Sequence, residues 1–463
     1  MGQIEQAFRK NANQGQWCVT LLPLCLFISR FNDDENLKGQ DILVLTFSAS
    51  IALLSLISGY RIKFDANIKT NKIEILDAKT TYFIVMTALC LIFWFINGLN
   101  FSTLTTIVGL VSYKKCLPLL FSRFPGSFSF GEGCIALQAI TLFSVSAITT
   151  LLNFTHHPTT PIDSFCLIAQ VSLLSEAFLF VSPLIPGMTW TKCPTFFYAS
   201  SIALFGSITL PVLTRILRMD PVSYLVIYII NSISVVILII FWILLVVIAI
   251  VIVRQKFNTS ANASTGERKL FHGLIVVVMV SGIMVDVEFT YLASLVVLGI
   301  FVYLEYIRAF DIRPISRLLD EAFARFTDEK DQGSLILTNI YLLVGIFLPL
   351  WITRDLKSAN KLVLLSGVLS VGIGDSAASI IGSRYGHMKW PYSPNKSVDG
   401  TVASIIAQVI FLHFLSFINI TTDPYSLTSF LPIALTSLLE AHTTQVDNLV
   451  LPLLMYILYS VLA

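Results

Sequence analysis

The sequence predicts an all-α, polytopic membrane protein with roughly 13–15 transmembrane helices. Three observations predict it. The 463 residues are 55% apolar and only 13% charged, where a soluble domain carries about 25% charged residues. Mean hydropathy is +0.80. Apolar runs long enough to span a bilayer, about 20 residues each, recur along the whole chain.

Taken in order, the clear runs are 41–60, 81–97, 134–153, 164–186, 196–215, 222–253, 289–307, 335–352, 361–381 and 401–420. Shorter or weaker ones are 17–30, 101–113, 271–285, 425–439 and 449–462. Helices are expected because each satisfies its own backbone inside lipid. The run 222–253 is too long for one upright span and is expected to tilt or extend past the bilayer. Arg9 and Lys10 precede an apolar run with no small-residue cleavage site after it, so the first span is expected to be retained.

The formal net charge of +2 is too small to point to nucleic acid. All seven cysteines lie in the first 193 residues, without a C-x-x-C pair, and read as packing residues rather than a zinc site or disulfide framework. The glycine-rich segment 121–133 lacks the lysine–serine ending of a phosphate loop.

The chain divides by the character of its loops. Residues 1–253 read as transmembrane helices forming a lipid-binding or scaffold frame, and 254–463 as a region with longer, more polar loops. Those loops are 254–270, 308–334, 382–399 and 440–448, each separated from the next by two apolar runs, so all four are expected on one face. Twelve basic residues, Arg254, Lys256, Arg268, Lys269, Arg308, Arg313, Arg317, Arg325, Lys330, Arg384, Lys389 and Lys396, make that face cytosolic by the positive-inside rule. Arg354, Lys357 and Lys361 fall on the opposite face and do not overturn it.

The polar residues with chemical potential concentrate in 371–400, VGIGDSAASIIGSRYGHMKWPYSPNKSVDG. Asp375 lies near the end of an apolar run, where an ionisable group is costly and therefore a functional candidate. It fits a ligand of a nucleotide-bound divalent cation, which takes one or two carboxylates plus phosphate oxygens. Gly372 and Gly374 let backbone approach an anion, though Gly-x-Gly also serves close helix packing. Arg384, Lys389 and Lys396 can neutralise a triphosphate, and Arg268 and Lys269, with His272, can hold phosphate or anchor the chain at the membrane surface. Asp328, Glu329 and Asp331 could supply a metal ligand or a base, or simply be solvated. Glu440, Gln445, Asp447 and Asn448 interrupt two apolar segments, as cavity-lining groups do.

These residues resemble one family. The run 371–383, then Gly386, Trp390, Pro391, Lys396, Gly400 and Thr401, is similar to the nucleotide-binding signature of dolichol kinases. So are 268–272 (RKLFH), 328–331 leading into 335–341, and 439–449 (LEAHTTQVDNL). The likeness is strong over 265–463 and weaker before it, where 125–132 (PGSFSFGE) matches best. Ser376 and Asp399 stand where the family more often has Thr and Glu, and the shorter Asp399 makes its role less firm.

The resemblance implies a multi-pass endoplasmic-reticulum membrane enzyme, with its active site facing the cytosol. It implies phosphoryl transfer from CTP to dolichol, giving CDP and the dolichyl phosphate used in protein N-glycosylation. A divalent metal, Mg²⁺ by expectation, would sit on Asp375 with Asp328 or Asp331. Lys396, Arg384 and Lys389 would hold phosphates, and Arg268 and Lys269 would stabilise the transferring group. Asp399 or Glu440 would take the alcohol proton. Gly372, Gly374, Ser376, Gly382, Ser383, Gly386, Trp390, Pro391, Gly400 and Thr401 would complete the nucleotide site. A homo-oligomer is compatible with this reading. The alternatives are a CTP:phosphatidate cytidylyltransferase, another CTP-dependent lipid kinase and, in a different class, a transporter. The gathering of charge at one face of the second half speaks against transport.

Overall fold

The structure, a computed structural model, describes residues 8–9, 12–31, 39–67, 85–91, 94–95, 98, 100–152, 157–181, 193–257, 265–324, 327, 330–391, 393–421 and 426–462. Its contacts divide the chain into two compact units, residues 1–156 with 332–334, and residues 157–331 with 335–463.

The first unit contains α1 (Leu21–Phe31), α2 (Gly39–Asn67), α3 (Phe101–Arg123) and α4 (Phe130–Leu152). Ser129 and Glu132 form a reciprocal cap at the start of α4. Glu132 Oε2 accepts the Ser129 N–H at 2.9 Å and Ser129 Oγ accepts the Glu132 N–H at 3.3 Å. Glu132 also binds the buried Arg9 at 2.6 Å, so the acid has its counter-charge inside the fold. In the glycine-rich segment 121–133, Gly131 presses against the Gly15 carbonyl, where any side chain would overlap it.

The second unit holds the remaining helices. They are α5 (Pro161–Val181), α6 (Pro194–Leu217), α7 (Pro221–Asn231), α8 (Ile233–Phe257), α9 (Thr265–Val285), α10 (Val287–Ala309), α11 (Ser316–Ala324), α12 (Thr338–Ile352), α13 (Lys361–Leu364), α14 (Ser376–Tyr385), α15 (Val398–Phe417), α16 (Leu427–His442) and α17 (Asp447–Leu462). A π-helical turn, Val368–Asp375, leads into α14. A small antiparallel hairpin, β1 (Lys389–Trp390) with β2 (Ser393–Ser397), is the one sheet among the described residues.

Among the described residues, seven helices are long and apolar enough to cross a membrane, and five shorter apolar ones accompany them. The α8 surface is studded with exposed Ile237, Ile243, Leu244 and Ile250, an apolar face suited to lipid. The run 222–253, expected as one long span, is instead two helices. Ser232 between them is extended (φ −120°, ψ 97°), and its carbonyl accepts the Val235 and Val236 N–H groups at 3.0 and 3.1 Å to start α8. The run 361–381 likewise resolves into α13, the π turn and the start of α14.

The core that positions the site packs the π turn against α9, α12 and α15 through Val276, Met279, Ile283, Leu342, Ile346, Leu350, Val368, Val371 and Leu415. Small residues permit the approach, as is usual between membrane helices. A side chain at Gly372 would overlap Val276, and one at Gly367 would overlap the Gly345 carbonyl.

Candidate active site

The π turn ends on Asp375. Such turns insert an extra residue into a helix and recur at functional sites, because they re-aim side chains locally. Asp375 is 7% exposed. Its Oδ2 accepts from Lys269 Nζ on α9, and His272 Nε2, one turn further along α9, lies 3.8 Å from the same oxygen. The i, i+3 spacing puts both side chains on one face of that helix.

A second group stands beside this one. Lys396, on β2, donates to Glu440 Oε1 on α16 at 2.9 Å and lies 3.5 Å from Asp447 Oδ2 at the start of α17. Lys330 donates to Asp447 Oδ2 at 2.8 Å and to the Gln445 carbonyl at 3.0 Å. Burial works against charge on the Lys396 ammonium, but Asp447, Glu440 and Asp375 outweigh it and hold its pKa above the ordinary lysine range. The field of Asp375 therefore reaches Lys396, and the two groups form one electrostatic centre. It alternates three lysines with three carboxylates, drawn from α9, the π turn, β2, α16, α17 and the loop before α12.

The hairpin that carries Lys396 is fixed from several sides. Ser397 Oγ caps α15 by accepting the Gly400 N–H at 3.1 Å. Asp399 Oδ2 accepts the backbone N–H groups of His387 and Met388 at 2.9 and 3.1 Å. Trp390 donates its indole N–H to Thr401 Oγ1 at 3.1 Å, and its ring meets His442 edge-on at 4.9 Å. Gly382 and Gly400 let α14 and α15 cross closely, since a side chain at Gly400 would come within 2.9 Å of the Ala378 carbonyl.

Of the residues singled out in the sequence, Asp375, Lys269, His272, Lys396, Glu440 and Asp447 are brought together. Arg384 in the last turn of α14, Lys389 on β1 and Pro391 just after it are exposed. Ser376 and Ser383 lean back on the carbonyls of Val371 and Ile380, at 3.5 and 3.2 Å. Gly374 abuts Gln408 and Ser404, and Gly386 abuts Gly382 and Ser397. Asp331 caps α12, its Oδ1 accepting the Leu337 N–H at 3.0 Å and its Oδ2 the Thr338 hydroxyl at 2.6 Å. Asp328 lies outside the described residues, and so does the side chain of Arg268. Among the described residues no group of three or more His, Cys, Asp or Glu side chains is arranged to hold a metal ion.

Lys330, read from the sequence as a basic residue of the cytosolic face, and Asp447, read as a cavity-lining group, also belong to the centre. The structure adds further residues to which the sequence attached no role. Beneath Gly374, Gln408 Nε2 donates to Ser404 Oγ and Ser437 Oγ, both at 3.0 Å, making a polar patch inside the helix bundle. A run such as 401–420 hides these residues, because isolated polar side chains in an apolar helix carry no sign of which neighbour they meet.

Fold and site together define a polytopic helical membrane protein with a buried lysine–carboxylate centre next to a loop hairpin. A sequence model of the family described as dolichol kinase matches residues 104–393, and the chain belongs to that family. It is 35% identical over 359 residues to dolichol kinases of Bos taurus and Homo sapiens. Those matches cover 73% of this chain and 66% of each relative, so the likeness spans just under two thirds of their length. It is also 35% identical over 209 residues to the dolichol kinase sec59 of Schizosaccharomyces pombe, covering 44% of this chain and 41% of that one. No solved structure matches the chain.

Proposed function

We propose that this protein transfers the γ-phosphoryl group of CTP to dolichol at the endoplasmic reticulum membrane, with its site facing the cytosol. Residues 254–463 would carry the chemistry and 1–253 would form the frame. The observation that carries this reading is the buried centre of Lys269, Lys396, Asp375 and Glu440 in a chain of the dolichol kinase family.

Phosphoryl transfer is mostly positioning and charge neutralisation. Lys396 and Lys269 supply cations at the membrane boundary that can turn from their carboxylates to phosphate oxygens. Arg384 at the end of α14 and Lys389 on β1, both exposed, would reach the nucleotide from the solvent side. The dolichol oxygen forms the new bond to the γ-phosphorus, the bond to the bridging oxygen breaks, and CDP leaves. Glu440 is the proton acceptor favoured by its place beside Lys396, because Asp399 is engaged in holding the 387–388 backbone.

A divalent cation fits the site only in part from protein groups. Asp375 is a buried carboxylate of suitable charge, and with no three-ligand cluster among the described residues, phosphate oxygens would complete the coordination. Such an ion supplies charge neutralisation to the triphosphate.

Product analysis tests the reading. Detergent-solubilised protein given CTP, Mg²⁺ and dolichol should release CDP, and ATP should not replace CTP. Release of pyrophosphate with phosphatidate as acceptor would move the protein to the cytidylyltransferases.

A further inference from the structure

Asp447 opens α17 and is 8% exposed. Its two oxygens are used unequally. Oδ2 faces Lys330 at 2.8 Å and Lys396 at 3.5 Å, whereas Oδ1 is buried and has no hydrogen-bond partner. Leaving a buried polar oxygen unpaired costs on the order of 1–3 kcal/mol. A native structure that keeps one calls for an explanation, of which a missing ion is one.

The other acids near the centre are committed elsewhere. Asp331 spends both oxygens on capping α12. Asp399 holds the 387–388 backbone, and Glu440 receives Lys396. Asp447 alone among them has one oxygen oriented by two lysines and the other left open.

We propose that Asp447, through Oδ1, is a carboxylate ligand of the divalent cation that enters with the nucleotide. This rests on the nucleotide-kinase reading. One or two carboxylates plus phosphate oxygens are a usual set for such an ion. A purely structural Asp447 would need only its Oδ2 contacts.

The test uses Mn²⁺ as the probe, followed by the loss of its free-ion EPR signal on the full-length, detergent-solubilised protein, with and without CTP, each read against the same Mn²⁺ and CTP mixture without protein. The wild type is expected to bind Mn²⁺ more tightly when CTP is present, and Asp447→Asn to bind it at least about tenfold more weakly. Asp447→Cys provides a second reading, because a direct ligand position converted to a thiolate should gain a Cd²⁺–thiolate absorption band that the wild type lacks. Unchanged Mn²⁺ affinity in Asp447→Asn, or no new band in a folded Asp447→Cys, overturns the assignment. A wild type with no CTP-dependent Mn²⁺ binding would instead contradict the kinase reading itself.

Discussion

Asp375 and Lys269, 106 positions apart in the chain, are joined carboxylate to ammonium with side chains only 10% and 11% exposed. The π turn aims one and the first turns of α9 aim the other, so neither residue finds its partner unless the membrane helices have already packed. Removing one member of such a pair leaves an uncompensated charge, which typically costs about 3–5 kcal/mol. Lys269→Met is therefore expected to lower the thermal stability of the solubilised protein markedly. Adding Asp375→Asn to it should restore part of the loss, and melting curves of the wild type and the two variants check this. Turnover should stay absent in every variant that lacks Asp375.

Lys396 is shared by Glu440 and Asp447. Lys396→Met removes a charged contact worth about 1.5–3 kcal/mol, which corresponds to about a ten- to hundredfold loss of rate if it acts on the phosphates in the transition state. Lys396→Arg keeps the charge and should recover part of that loss. Label transfer from CTP at fixed protein level measures both.

Gly372 faces Val276 where no side chain fits. Gly372→Ala is expected to destabilise by about 1–3 kcal/mol through overpacking. Val276→Ala in the same chain opens the space and should return most of the lost stability. A Gly372 needed mainly for backbone approach to an anion would not be rescued in this way, so the double variant separates the two roles.

Ser397 Oγ caps α15 immediately after the Lys396 strand. Ser397→Ala should cost about 1 kcal/mol. Because the cap also fixes the end of the hairpin, the KM for CTP should rise more than it does for Ser383→Ala, whose hydroxyl bonds only within its own helix. Steady-state kinetics of the two variants decides this.

Much of this is legible in the sequence. Apolar runs and scarce charge predicted helices, and the acid at 375, the lysines at 269 and 396 and the acid at 440 stood out because ionisable groups are rare in so apolar a chain. Their proximity was not legible, since the pairs are made by chain segments 106 and 44 positions apart. Asp447 reads from the sequence as one of four cavity-lining polar groups, and only its neighbours show one oxygen held and one left open. The break at Ser232 was hidden because a short polar interruption, Asn231, Ser232 and Ser234, need not end a helix. The glycines at 372 and 374 suggest backbone approach to an anion, with close packing as the alternative, and a side chain at either would overlap Val276 or Gln408.

The most direct measurement supplies CTP labelled in the γ-phosphate to membranes carrying this protein, with dolichol added and the lipid extracted. Label should appear in the lipid from CTP but not from equally labelled ATP, and should vanish in Asp375→Ala membranes that contain the same amount of inserted protein. Lipid labelling that persists in Asp375→Ala would contradict the assignment of the buried centre as the catalytic site. No lipid labelling in the wild type would contradict the kinase reading altogether.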